Sequence, residues 1–273
     1  MKCDYHVHSE FSDDSSTPIE LQVKRACDLG IDELCLTDHV DYGVKQDCDC
    51  SNPEGMPLNV NYPEYFREIE RLRSKYHGRI TIRAGLEFGV QTHTIRQYEK
   101  LYDRYRNELD FVLLSIHQID NLDFWAQEFQ HGKTQEQYNQ AYYDEMLNLV
   151  QNFHDYSVLA HLDLLSRYDR AGIYPFAKVK DIVAEILTIA INDGKGIELN
   201  TSGWRYGLGQ AQPCREILEL YHDLGGKIIT LGSDAHNPSY IYDHMNDGIS
   251  LLKSIGFREF CTFDKMRPVF HAL

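Results

Sequence analysis

Short apolar runs alternate with amphipathic stretches along the chain, and most of the runs end on a polar or charged residue. Residues 2–8 read as a first strand, and the Ser/Thr/Pro segment after it opens a helix whose stripe of Ile19, Leu21, Val23, Ala26 and Leu29 stops at Gly30. A buried strand over 34–37 follows, then a long polar loop over 42–61 with Gly and Pro, of a length that often serves as a lid. The pattern then repeats: helix 63–77, strand 79–86, helix 93–107, strand 109–115, loop 118–133, helix 135–152 and strand 157–160. Beyond the irregular 163–175 segment come helix 176–192, strand 196–199, helix 214–224, strand 227–231, a short helix near 246–254 and a final strand over 259–262. Parallel sheets with helical crossovers place their functional loops at one strand edge, and a barrel makes those strand ends converge on one point. Strand-helix alternation with about seven strands predicts an α/β fold, a distorted TIM-like (β/α)7 barrel, with functional groups at the C-terminal strand ends.

No linker, low-complexity tract or internal period divides residues 1–273, so one domain is expected. The balance of 27 Lys plus Arg against 42 Asp plus Glu gives a formal charge of −15, which argues against nucleic acid and anionic membrane as partners. An anionic substrate then needs a local positive centre, which bound divalent cations would supply. The seven cysteines are scattered through apolar runs and read as reduced residues of a cytoplasmic protein. Cys48 and Cys50 form a CxC pair without a second pair nearby, so a lid is the better reading of their loop than a zinc knuckle. No run approaches the roughly 20 apolar residues of a membrane span.

Chemistry is concentrated where the apolar runs stop. His6 and His8, one residue apart in a strand, project to the same side and suit one metal ion. Further candidates follow the later runs: Asp38 and His39, Glu87, His117, His161, Asp234 and His236. The remaining histidines, His77, His93, His131, His154, His222, His244 and His271, fall on helices and loops. A lone histidine after a run is ordinarily structural, and only the joint placement of these groups makes a site. Nitrogen and carboxylate donors without cysteine suit Zn²⁺, Mn²⁺ or Fe²⁺, and their number predicts a two- or three-metal cluster with a bridging carboxylate such as Glu87. Such clusters activate water and screen a phosphoryl group, so metal-dependent hydrolysis is the expected chemistry.

The segments HVHSEFS, LTDH, GLEFG, SIH, AHLD and GSDAH occur in order and resemble the motif series of the polymerase and histidinol phosphatase (PHP) superfamily. With DYHVHSEFSDDS, HLDLLSRY and ELNTSG, the chain is similar to the stand-alone histidinol-phosphatase branch, which belongs to histidine biosynthesis. The resemblance implies a distorted seven-stranded barrel and a trinuclear centre. In it His6, His8, Glu87 and Asp234 would hold the first ion. Glu87 would bridge to a second ion on His117 and His161, and His39 and His236 would hold the third. Many members place a histidine in the loop after the first strand as a further ligand; this chain offers Asp13 and Asp14, of which Asp14 is taken as the ligand.

The reaction so implied is hydrolysis of L-histidinol phosphate, a small-molecule phosphate monoester, with Glu87, Asp234 and His236 as the catalytic set. Asp234 or a water on the metal would protonate the departing alkoxide. Arg167 and Arg205 are candidates for the phosphate, each with a surface ion pair as its ordinary alternative. Asp41, Gln118, Asp120 and Ser202 are candidates for the ammonium and imidazole, and Tyr42, Phe88 and Trp204 for the walls. Two other readings stand beside this one: a phosphoesterase of the same scaffold acting on a nucleotide diester or phosphotyrosine, and a non-catalytic metal-binding module, whose mark would be lost ligands. A carbamylated-lysine amidohydrolase is disfavoured, because no lysine stands at a strand end.

Overall fold

In the computed structural model, which describes residues 1–47 and 57–273, the apolar runs become parallel strands laid side by side in chain order. They are β1 (Cys3–Val7), β2 (Glu33–Leu36), β3 (Thr81–Gly89), β4 (Phe111–Ser115), β5 (Val158–Leu159), β6 (Gly196–Asn200) and β7 (Ile229–Gly232). After β7 the chain returns to β1 through a parallel bridge between Val7 and Ala235. His8 N–H donates to Ala235 O at 2.9 Å and Ala235 N–H to His6 O at 3.2 Å, so the sheet is nearly closed into a barrel. The buried Asp4 carboxylate adds to this seam by accepting from Ser233 N–H and Tyr242 N–H, each at 2.9 Å. The expected seven-stranded, TIM-like α/β architecture is therefore what forms.

Physical causes are visible strand by strand. β1 and β4 are buried at every position, as strands covered on both faces must be. The helix Tyr62–Lys75 buries Tyr62, Tyr65, Ile69 and Leu72, a spacing of three and four residues that makes one face. Its start is set by Asn61, whose side chain accepts from Glu64 N–H, and by the proline that follows. The distortion is local: the β1–β2 register shifts between Asp4 and Val7, and a two-residue strand, His39–Val40, pairs with the end of β3 so that His39 lies opposite Glu87.

Three features depart from the pattern reading. β3 runs on to Gly89 instead of stopping before Glu87, so Glu87 is held inside a strand. The 118–133 loop contains a small antiparallel pair, Gln118–Ile119 with Leu122–Asp123. The last strand expected over 259–262 is one arm of a hairpin, β8 (Glu259–Asp264) with β9 (Arg267–Ala272). β9 went unread because it opens on a charge and a proline and is largely exposed. Cys48, Cys50 and the middle of the 42–61 loop lie outside the described residues, and among the described residues Cys3, Cys27, Cys35, Cys214 and Cys261 are free. Among those residues no helix is long and apolar enough to cross a membrane.

The hairpin packs against the barrel through aromatic contacts. Phe111 lies 5.0 Å from both the Tyr5 and Phe263 rings, and Phe263 N–H donates to the Tyr5 hydroxyl at 2.8 Å. Phe111→Ala should cost roughly 3–5 kcal/mol of unfolding free energy. Denaturant titration checks this, and a midpoint within error of the parent would mean that the hairpin does not stabilise the barrel through this ring.

Candidate metal centre

The C-terminal ends of the strands deliver their side chains to one place, and Glu87 is its hub. Its Oε2 lies 3.0 Å from His6 Nε2, 3.4 Å from His8 Nε2 and 3.1 Å from His39 Nδ1. Its Oε1 lies 3.1 Å from His117 Nε2 and 2.9 Å from His161 Nε2, and also accepts from Ser115 Oγ at 2.5 Å. Asp234 Oδ1 stands 3.4 Å from His8 Nε2, 3.6 Å from His236 Nδ1 and 3.7 Å from His6 Nε2. Asp14 Oδ2 is 3.1 Å from His236 Nε2 and 3.5 Å from His39 Nε2, whereas Asp13 turns to Lys45 at 2.5 Å. All the expected ligands are thus brought together. Donor atoms converge in the groups His6–His8–Glu87, Glu87–His117–His161, His6–His161–Asp234 and His8–His39–His236, so His8 also faces the pair expected to hold a third ion.

The sequence reading missed the groups behind the imidazoles. Glu198, wholly buried on β6, holds His6 Nδ1 at 2.7 Å and accepts from His161 N–H at 3.0 Å. Asp41 Oδ1 holds His117 Nδ1 at 2.7 Å. Ser12 Oγ lies 3.2 Å from His8 Nδ1 and donates to Asp38 Oδ1 at 2.7 Å, so Asp38 braces the loop after β1 rather than facing the centre. For His6, His8 and His117 the contact takes the outer ring nitrogen and leaves the other pointing inward, the usual arrangement behind metal-ligating histidines. The signal for Glu198 was present in its position between Ile197 and Leu199, in the middle of an apolar run.

Backbone geometry is spent on the site as well. Asp234 has φ +56° and His161 φ +23°, left-handed values that non-glycine residues avoid and that packing must enforce. At Gly232 a Cβ would come within 2.2 Å of Glu198 Oε1 and 2.5 Å of His6 Cβ. At Gly89 it would come within 1.9 Å of Asp41 Oδ1. Both glycines make room for a carboxylate that orients a histidine.

Electrostatics follow from burial. Burial favours neutral Glu87 and Asp234, yet the His6 charge with its neighbours holds both carboxyls well below their ordinary range. Burial lowers the imidazoles of His8 and His161. It acts on His117 too, but the Asp41 and Glu87 charges outweigh it and push His117 up to about 9. His8 Nε2, His39 Nδ1 and His236 Nε2 are buried without hydrogen-bond partners. Unpartnered imidazole nitrogens beside ionised carboxylates, with no thiolate among them, form a donor set that fits Zn²⁺, Mn²⁺ or Fe²⁺.

The centre opens into a cleft of about 430 Å³. Arg167 is on its wall, with Nη1 and Nη2 3.2 Å from Asp234 Oδ2 and with Nη2 donating to Ser202 Oγ at 2.6 Å and to Gln212 Oε1 at 2.8 Å. Gln118 and Asp41 also line the cleft. Arg205 is not brought there; its Nη2 donates to the carbonyls of Ser233 and Asp234 at 3.1 and 2.8 Å and so supports the strained turn. Ser202 is buried behind Arg167, and Asp120 is exposed at the tip of the small hairpin. Phe88 packs against Tyr98 and Phe153, Tyr42 against Tyr98, and Trp204 against His244. The aromatic walls are instead Trp125, Tyr168 and Tyr206.

A PHP domain matches residues 4–202, most of the chain and most of the ligands just described. The chain belongs to the PHP domain family. A histidinol-phosphatase of Lactococcus lactis subsp. lactis is 33% identical over 272 residues, covering 97% of this chain and 96% of that protein. The crystal structure of the histidinol phosphate phosphatase from that organism, complexed with zinc, L-histidinol and phosphate, overlays with a TM-score of 0.86 at 32% identity, covering 98% of each chain. A second solved structure, from Listeria monocytogenes, shares the fold with a TM-score of 0.78 at 20% identity, over 90% of this chain and 99% of that one.

Two outcomes are expected. Gly232→Ala should displace Glu198 from His6 and weaken metal binding about 10–100-fold, read by chelator competition; unchanged affinity would show that Glu198 is not held by this close approach. In metal-free protein the raised His117 stabilises the fold below its unfolded value near 6.5, and that contribution is lost as pH rises through about 9. Chelator-treated protein should therefore melt lower at pH 9 than at pH 6.5. Metal-loaded protein should not show this loss, since protons no longer compete for the nitrogens.

Proposed function

We propose that this chain is a histidinol-phosphatase, hydrolysing L-histidinol phosphate to L-histidinol and phosphate in histidine biosynthesis, and that its whole length serves this one site. The observation that carries the reading is the convergence on Glu87 of His6, His8, His39, His117 and His161, beside Asp234 and next to an arginine-walled cleft. The Lactococcus relative acts in the same role by name, and zinc in its structure supports zinc here.

Three divalent ions account for the donor groups. His6, His8, Glu87 and Asp234 would hold one; Glu87, His117 and His161 a second; and His39, His236 and Asp14 a third, with His8 close by. Such ions supply a water nucleophile at neutral pH and screen the phosphoryl charge. Arg167, kept charged by the Asp234 carboxylate despite its burial, is held by Asp234, Ser202 and Gln212 and keeps one Nη1 N–H for a phosphate oxygen. Asp234 is held ionised beside Arg167, so its carboxylate can accept a hydrogen bond from the attacking water and orient it, and the departing alkoxide would take its proton from Asp234 or from a water. Glu87 keeps the imidazoles in register, and His236, on the cleft side, stands by the phosphate. Ser202 holds Arg167, and Asp41 holds His117.

Substrate selection falls to the rest of the cleft lining. Tyr206 stacks on Arg167 at 4.1 Å, while Trp125 and Tyr168 offer flat rings to an imidazole and Asp123 and Gln118 offer acceptors to an ammonium. The cleft is sized for a small monoester, and Arg167 and Lys45 are the only lysine or arginine side chains lining it among the described residues. A polynucleotide backbone would have no basic track to follow.

Phosphate release from L-histidinol phosphate by zinc-, manganese- or iron-loaded protein is the test, beside p-nitrophenyl phosphate, a bis-ester and phosphotyrosine. Selective release is expected, lowered at least about a hundredfold in His6→Ala by loss of a ligand. Arg167→Ala should cost about tenfold to a hundredfold in kcat/KM, roughly 1.4–2.7 kcal/mol of transition-state stabilisation. Faster cleavage of the bis-ester or phosphotyrosine would move the substrate to those classes, and no turnover by metal-replete protein would leave a binding module.

A further inference from the structure

Lys45 stands on the cleft wall with only a tenth of its side chain exposed, and it belongs to no motif. Its ammonium meets Asp41 Oδ2 at 2.8 Å and Asp13 Oδ1 at 2.5 Å. Its own N–H donates to Asp41 O at 2.9 Å, which closes the turn and fixes where the side chain starts. Each carboxylate leads to a different part of the centre. Asp41 holds His117 Nδ1 at 2.7 Å, behind the second expected ion. Asp13 precedes Asp14, whose Oδ2 faces His236 and His39 at the third.

Without a cation between them, Asp13 and Asp41 would be two carboxylates facing each other across a partly buried gap, and repulsion would drive the two loops apart. Asp13 and Asp14 are also chemically equivalent neighbours, and a metal ion would draw whichever was free. Lys45 answers both problems, since it neutralises Asp13 and Asp41 and leaves Asp14 as the carboxylate of the loop that faces His236 and His39. We propose that Lys45 is a positioning residue that clips the Asp13–Asp14 loop to the Asp41–His117 pair and thereby selects Asp14 as the ligand of the third metal position. This rests on the trinuclear reading of the site given above. The role needs a positive charge at this place and no contact with substrate.

The test is zinc titration of chelator-treated protein against a chromophoric chelator, for the parent chain, Lys45→Met, Lys45→Arg and Asp13→Asn. Lys45→Met keeps the aliphatic stem and loses the charge, and its weakest-bound zinc should be held about tenfold less tightly or worse, the scale of other groups that orient ligands. Lys45→Arg should restore most of that loss. Asp13→Asn, which removes one arm of the clip and the competing carboxylate together, should weaken the same zinc less than Lys45→Met does. Turnover of histidinol phosphate should follow: Lys45→Met needs more zinc for half-maximal rate and approaches the parent kcat when zinc is saturating, a shift that general loosening of the fold would not give. A zinc curve for Lys45→Met that overlays the parent, or a Lys45→Arg variant as weak as Lys45→Met, overturns the proposal. If the parent chain ignored histidinol phosphate, the substrate reading would fall while the zinc titration, which needs no substrate, still decided the role of Lys45.

Discussion

A carboxylate with no exposed surface, set among five imidazoles, is the constraint on which this structure turns. Among the described residues Glu87 forms ion pairs only with histidines, so its charge is answered by imidazoles that must be partly protonated or else share a cation. An isolated ionised carboxylate in such a place would cost several kcal/mol. The barrel tolerates it because β1, the His39–Val40 strand, β4 and β5 all come within reach of β3, and each carries a histidine inside it or two residues past its end. Near-closure of the sheet is what makes those ends converge. The seam between Val7 and Ala235 is also the place where His6, His8 and Asp234 enter the site, so completing the fold and completing the ligand set are one event.

Around that hub the same device recurs at three levels. Imidazoles surround Glu87; carboxylates and a serine grip the imidazoles from behind; glycines and left-handed turns let those carboxylates come close. Glu198 illustrates the interdependence. It holds His6 by one oxygen and the His161 amide by the other, across the β1 and β5 ends, and it fits only because position 232 lacks a Cβ. A change at either outer level would reach the imidazoles without altering one of them.

Legibility in the sequence followed the same layering. His6, His8, Glu87, His117, His161 and Asp234 could be read because each is polar at the end of a run that is otherwise apolar, where a bland explanation fails when repeated. Asp41 and Glu198 could not be assigned their roles, because a carboxylate that orients a histidine is indistinguishable in sequence from one that caps a helix or meets substrate. Arg167 and Arg205 looked alike, both basic residues in loops after strands. Only the fold separates them: Arg205 closes a single helical turn, Ser202–Arg205, and donates to the Ser233 and Asp234 carbonyls, while Arg167 is delivered to the cleft. The cleft aromatics were missed for a related reason, since Trp125 lies in a loop with no periodicity to mark it.

The acidity of the chain acquires a reason at this point. A phosphatase that held its substrate mainly by arginines and lysines would carry a standing positive patch, open to any polyanion. Here the wall cations are already engaged by carboxylates, Arg167 by Asp234 and Lys45 by Asp13 and Asp41, so the protein alone offers little free positive charge to a phosphate. Divalent ions in the centre would supply the attraction, so anion affinity would be coupled to metal occupancy, and the aspartates that engage the wall cations also reach the ligand candidates, Asp41 by holding His117.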